Sequence, residues 1–379
     1  MSLFVFVVAV SLTAWVYAGY PALLALVGKF RPRPRRREEG RSRLSVIVAA
    51  YNEADVIAQK IADVRESDYP SELIEIVVAS NGSTDDTVAV ARRAGADIVL
   101  ELPVAGKMPA LVAAVEASTG ELLVFTDADA TFERDTLRQL VANFADPEVG
   151  GVSANDLVGA RSADGAVVRG ESLYWRYDQW IKRHEDAIGS TVSACGGLYA
   201  IRRSLFRKPK LDAGTDDFLI SVGVVRAGYR LAFDEHTYVR TVVENDGRSE
   251  FRRKVRVMNR GQRAAFASGR LIVPLVGGFY AIQLLSHQVL RRFVPFFLVA
   301  ALVASAVLAA RDARWWLVLA PQLAFYALAF VGWAVQGQPW GRTKVLWVPY
   351  YFCLANLAAA IAMLSLATGV RYRSWEPIR

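Results

Sequence analysis

Residues 44–53 read Leu-Ser-Val-Ile-Val-Ala-Ala-Tyr-Asn-Glu, an apolar run rich in β-branched residues that stops at a polar one. Leu44 to Ala50 carries no charge, as expected of a strand covered on both faces. From Asn52 to about Glu66 the composition turns polar and helix-forming, so the unit is a strand feeding a helix. The alternation continues toward the carboxyl side. Ile74 to Ala79 reads as a strand, Thr84 to Ala94 as a helix, Asp97 to Leu100 as a strand, Pro109 to Ser118 as a helix and Glu121 to Thr126 as a strand. Buried parallel strands joined by crossover helices account for this order, which makes the fold class α/β with a mostly parallel, Rossmann-like sheet. Ligands of such sheets bind beyond the carboxyl ends of the strands. The residues to inspect are therefore Tyr51-Asn-Glu53, Ser80-Asn-Gly82 and Asp127-Ala-Asp129.

Outward from this region the composition changes. The chain has 379 residues, 53% of them hydrophobic, more than an ordinary soluble core requires. Residues 3–28, 293–310, 315–336 and 345–368 are each nearly free of charge over the ~20 residues a bilayer span needs. They are read as transmembrane helices. The expected organisation is an anchor at 1–30, a basic linker at 31–43, a cytoplasmic domain at 44–265, interfacial or re-entrant helices at 266–292, three further spans within 293–370 and a tail at 371–379. Pro274, Gly277, Gly278 and His287 interrupt the apolar stretch 271–290, which is why it is set apart. A cleaved signal peptide is the rival for the first stretch, but a basic leading region and a small-residue cleavage site are lacking.

The run Arg31-Pro-Arg-Pro-Arg-Arg-Arg37 follows the first stretch directly, and the positive-inside rule then places the next domain in the cytoplasm of a plasma or inner membrane. Contact with anionic lipid is the expected further use of that run, and the net charge of +8 calls for no nucleic acid. Cys195 and Cys353 imply no disulfide framework, and His184, His236 and His287 have no zinc spacing. A metal, if used, is a hard ion held by carboxylates, Mg2+ or Mn2+.

Asp127 and Asp129 flank Ala128 at the end of an apolar strand, so the period of two sends both carboxylates the same way. One cation reaches both, although such a pair equally caps a helix. Ser80-Asn-Gly-Ser-Thr-Asp-Asp-Thr87 is a turn of small polar residues, readable as a ligand loop or as a plain strand-to-helix connection. Gly106-Lys107 sets an ammonium beside a helix amino terminus, a place for phosphate or for a solvated lysine. Thr215-Asp216-Asp217 precedes an apolar helix, either capping it or supplying a carboxylate that accepts a hydroxyl proton.

In this order, Ala50-Tyr-Asn-Glu53, the Gly-Ser-Thr-Asp turn at 82–85, Gly106-Lys107, Asp127-Ala-Asp129, Ala194-Cys-Gly-Gly197 and Thr215-Asp-Asp217 resemble the membrane-integrated branch of the inverting family-two glycosyltransferases, which includes hyaluronan and cellulose synthases. The resemblance implies a nucleotide-sugar-binding domain of GT-A fold inserted between transmembrane helices. It implies that Tyr51, Glu53 and Asn81 surround the base and ribose, that Lys107 faces the diphosphate, that Asp127 and Asp129 hold donor and metal, and that Asp217 is the catalytic base. Cys195, Gly196, Gly197 and Asp216 would border the acceptor. Two departures stand out. Asn81 occupies a place where the family commonly has Asp, though an amide still meets a uracil imide. Arg253-Lys-Val-Arg256-Val257 resembles the Gln/Arg-x-x-Arg-Trp motif with Val in place of Trp, and Arg253 and Arg256 would clamp the departing diphosphate or lie on lipid.

The expected activity is metal-dependent inverting transfer from a UDP-sugar to a membrane-associated glycan. A single transfer to a lipid acceptor, polyprenyl phosphate or glycolipid, is the enzymatic alternative, and a nucleotide-binding membrane scaffold the non-enzymatic one. The orientation rule predicts that cysteines introduced at Asp86 and Arg161 are shielded from an impermeant thiol reagent in intact cells, whereas one in Arg311-Asp-Ala-Arg314 reacts. Labelling at 161 would reverse the orientation.

Overall fold

The computed structural model describes residues 1–160, 166–209, 215–243, 247–336, 338–370 and 372. Arg161 and all of the tail but Tyr372 lie outside them. The chain divides into two compact units. One comprises Met1–Leu26, Ala160–Asp178 and Val243–Tyr372, the other Val27–Gly159, Gln179–Val242 and Arg373–Arg379. The segment 44–265 is thus shared between units, its parts 160–178 and 243–265 grouping with the first.

The second unit is built on strands β1 (Leu44–Ala50), β2 (Ile74–Asn81), β3 (Ile98–Leu102), β4 (Leu122–Asp127), β5 (Thr131–Phe132), β6 (Val149–Ala160), β7 (Leu198–Arg202) and β8 (Arg230–Val243). They form one sheet in the order β3-β2-β1-β4-β7-β6-β8-β5. All seven residues of β1 are buried because both faces are covered. Val46, Val48 and Ala50 pack with Ile57, Ile61 and Val64 of the helix Ile57–Arg65. Ile47 and Ala49 pack with Met108, Leu111 and Val115 of the helix Lys107–Ala117.

The pairings β1–β2, β2–β3 and β1–β4 are parallel, whereas β4–β7, β6–β7 and β5–β8 are antiparallel. This corrects the expected mostly parallel sheet to a mixed one. An apolar strand reads the same in either direction, and only the path of the chain between strands sets its sense.

The basic linker belongs to the second unit and is strapped down within it by its arginines. Arg33 N donates to Ala187 O at 2.7 Å, and its guanidinium pairs with Glu148 at 2.7 Å. Arg35 donates to Asn143 Oδ1 at 2.7 Å, to Phe233 O at 3.1 Å and to Asp186. Arg37 reaches the fully buried Asp234 at 3.1 Å. Buried carboxylates without these cations would be left uncompensated.

In the first unit the described residues hold four helical stretches long and apolar enough to cross a membrane: Ser2–Phe30, whose last residues belong to the second unit, Pro274–Ala309, Ala313–Ala334 and Lys344–Ala367. The segments 271–290 and 293–310, read separately from sequence, run together as the 36-residue stretch Pro274–Ala309. Gly278, at φ 57° and ψ −138°, supplies its kink, and a π-helical turn at Leu284–Leu290 continues it. Buried Asp178 lies 3.0 Å from both His287 Nε2 and Arg291 Nη1, so these two ionisable groups of the stretch are internally paired.

Arg35→Met should destabilise the chain by about 3 kcal/mol, the loss expected when one partner of a buried ion pair is removed. Arg36→Ala, which breaks only the exposed pair with Glu38, should leave the melting temperature in detergent unchanged. Equal effects of the two would refute the strap.

Candidate active site

The turns following β1, β2 and β4 lie side by side, since Ala50 pairs with Ser80 and Ala49 with Asp127. The first two are stitched together. Asn52 takes a left-handed backbone, φ 54°, which asparagine tolerates better than most residues. Its N–H donates to Ser83 Oγ at 3.1 Å, and its Oδ1 accepts from Thr84 N at 2.8 Å. Glu53 N donates to Thr87 Oγ1 at 2.8 Å, and Ala54 N to Asp85 Oδ2 at 3.1 Å. Burial would raise the Asp85 carboxyl, but hydrogen bonds from Thr87 and Ala54 outweigh it and hold it low. Tyr51 and Glu53 are therefore carried on a fixed loop.

Asn81 does different work from that expected. Its Oδ1 accepts from Ala105 N at 2.8 Å and Gly106 N at 2.9 Å, and the residue is 3% exposed. That oxygen holds the loop carrying Lys107 and is not offered to a base. Gly82 completes the joint: a Cβ there would lie 2.4 Å from Val104 Cγ2 and 2.9 Å from Val104 N, at φ +70°.

Lys107 opens its helix after Gly106, and its ammonium lies 2.7 Å from Asp127 Oδ1 and 3.0 Å from Asp216 Oδ2. Burial alone would lower its pKa, but the two carboxylates raise it above the usual lysine range. Asp129 stands at the exposed rim, and desolvation together with the neighbouring Asp127 charge holds its carboxyl above the usual range. Half-buried Asp217 is raised as well, by desolvation and then by Asp216. A Cβ on Gly196 would sit 3.6 Å from Asp127 Oδ2 and 3.8 Å from Asp217 Oδ2. The bare glycine thus leaves a notch between the two carboxylates.

The structure brings together Lys107, Asp127, Asp129, Gly196, Asp216 and Asp217, with Gly197 tied in by Thr126 Oγ1, which donates to Gly197 O at 2.8 Å. Cys195 is corrected: its thiol donates to Ala154 O at 3.1 Å within the core, and burial pushes its pKa up to about 11. It presents no group to an acceptor. Arg253 and Arg256 lie on the helix Gly247–Ala267 of the first unit, whereas every other candidate residue belongs to the second.

The donor set fits a hard divalent ion. Two carboxylates repel one another across one residue, Lys107 partly neutralises only one of them, and a cation would relieve the other. Among the described residues no third His, Cys, Asp or Glu completes a metal cluster. Diphosphate oxygens and water would fill the other positions of Mg2+ or Mn2+.

Sequence reading quoted Asn52 and Asp85 within its motifs without giving either a role of its own, and it missed Thr126 and Lys60. Of these two Lys60 had left a signal, as a cation on the helix face that also carries Ile57, Ile61 and Val64. It also missed Tyr199, whose buried hydroxyl has no hydrogen-bond partner among the described residues and whose ring stacks on Phe125 at 4.9 Å.

Residues 45–208 match the Glycosyl transferase family 2. An N-acetylglucosaminyltransferase of Rhizobium meliloti is 27% identical over 278 residues, 68% of this chain and 62% of the relative. One from Bradyrhizobium diazoefficiens is 24% identical over 263 residues, 65% of this chain and 54% of that one. The chain thus spans less than two thirds of the length of these curated relatives. A mannosyltransferase from Pyrobaculum calidifontis, solved in complex with GDP-Man and Mn2+, superposes with a TM-score of 0.72 at 26% identity, over 96% of this chain and 99% of that one.

Asn81→Leu removes the acceptor for two amides and should release the Lys107 loop, lowering turnover at least about tenfold. Asn81→Asp keeps the oxygen and should stay within about threefold. The reverse order, measured as transfer rate, would show that Asn81 meets the donor instead.

Proposed function

We propose that this chain, which carries a family 2 glycosyltransferase domain at residues 45–208, moves a sugar from a nucleoside diphosphate donor to a hydroxyl of a membrane-associated acceptor, with inversion. One observation carries the reading. Of the two adjacent acids, Asp216 is held by Lys107, whereas Asp217 stands beside the Gly196 notch with its carboxyl raised toward the range useful to a base.

Asp217 accepts the proton of the acceptor hydroxyl as that oxygen attacks the anomeric carbon opposite the leaving group. The bond to the diphosphate breaks in line, and its charge develops beside Lys107. Asp127 and Asp129 would hold Mg2+ or Mn2+, which supplies Lewis-acid stabilisation of the leaving diphosphate. Tyr51 and Glu53 shape the nucleotide cleft. From their sequence motif alone, Arg253 and Arg256 are proposed as further cations for the diphosphate, and their helix is also suited to lipid.

UDP is the donor nucleotide implied by the sequence resemblance. The Pyrobaculum enzyme binds GDP-Man, and the commitment of Asn81 Oδ1 to the loop removes the contact that favoured uracil. UDP- and GDP-sugars are therefore both to be tried. A glycan acceptor follows the synthase-like reading, and the name of the rhizobial N-acetylglucosaminyltransferases puts N-acetylglucosamine among the sugars to try. Single transfer to a lipid is the second reading, favoured by Val257, 44% exposed where the synthases place Trp. The apolar helices support membrane attachment, and the arginines at 31–37 favour a cytoplasmic catalytic domain.

Asp217→Asn conserves shape but takes no proton, so it should keep donor affinity by calorimetry while transfer falls at least about a hundredfold. Asp216→Asn should weaken donor binding through Lys107 and lose less transfer. Parallel loss of binding and transfer in Asp217→Asn would assign the base elsewhere.

A further inference from the structure

Lys60 stands on a core-facing helix position and is 1% exposed. Its Nζ donates to Ala130 O and, at 3.2 Å, to Thr126 Oγ1, and lies 3.9 Å from the centroid of the Phe132 ring. These partners are two oxygens and an aromatic face, none of them a carboxylate. Burial pulls the amine down to about 7, with Asp63, Asp127 and Asp129 opposing that shift. A methionine would fill the same space without burying an amine, so packing alone gives no reason for a lysine.

Position gives the reason. Thr126 and Ala130 are the residues on either side of Asp127-Ala128-Asp129. The amine joins the entry of that turn to its exit, and in either protonation state it can donate to both. Thr126 Oγ1 passes the connection on by donating to Gly197 O at 2.8 Å.

We propose that Lys60 is a positioning residue for the Asp127-Ala128-Asp129 turn: it clamps the turn's two ends, fixes the spacing at which both carboxylates meet a divalent cation, and couples the turn through Thr126 to the Gly196–Gly197 loop. This rests on the reading that Asp127 and Asp129 hold the metal. Outer partners that orient ligands in this way change metal affinity about 10- to 100-fold when lost.

The test is an electron paramagnetic resonance titration of the purified full-length chain with Mn2+, beside a thermal melt. Wild type should bind, Asp129→Asn should not, and Lys60→Met should bind about tenfold more weakly. Lys60→Gln, which keeps donors for one of the two oxygens, should fall between. If Lys60→Met does not fold, Thr126→Val decides, with a loss of at least about threefold supporting the clamp. Lys60→Met that melts earlier but binds Mn2+ within twofold of wild type, or more tightly, overturns the proposal, as does unchanged binding by Thr126→Val. Wild type that binds no Mn2+, or Asp129→Asn that binds equally, removes the metal reading itself and this inference with it.

Discussion

Four carboxylates, those of Asp127, Asp129, Asp216 and Asp217, converge on one cleft, and their mutual repulsion is the constraint on which the rest of the site depends. Lys107 answers part of it by standing between Asp127 and Asp216 at 2.7 and 3.0 Å. What it leaves defines the chemistry. Asp129 at the exposed rim and Asp217 beside Gly196 are both left with carboxyls raised by burial and by an adjacent acid.

Holding that arrangement falls to hydrogen bonds between the loops that carry it. Asn81 grips the loop before Lys107, Asn52 and Asp85 join the turns beyond β1 and β2, and Thr126 links the Asp127-Ala128-Asp129 turn to the glycine loop. Each ties residues distant in sequence, as from Asn81 to Gly106. Precision in the cleft is a property of the sheet edge, where parallel strands end together.

The linker at 31–43 shows the same economy. A basic run beside an apolar helix reads as an orientation signal. Four of its guanidiniums also have acidic partners within the chain: Glu148, Glu38, and the buried Asp186 and Asp234. The connection leading into the catalytic unit is thereby fixed along its surface. A free polybasic segment of the same composition would be solvated.

The sequence by itself determined the α/β class, the long apolar helices and the residue types of the candidate site, because buried strands, long apolar helices and paired acids are local patterns. The strand Leu44 to Ala50, the pair Asp127 and Asp129, and the sequence Gly106-Lys107 are legible without a neighbour. Only the tertiary structure decided the sense of β7, the duty of Asn81, the inward turn of the Cys195 thiol and the burial of Lys60. Strand direction depends on the route taken between strands, and a polar side chain's role depends on which partners folding brings within about 3 Å. Those partners lie tens of residues away along the chain, where no local period can announce them.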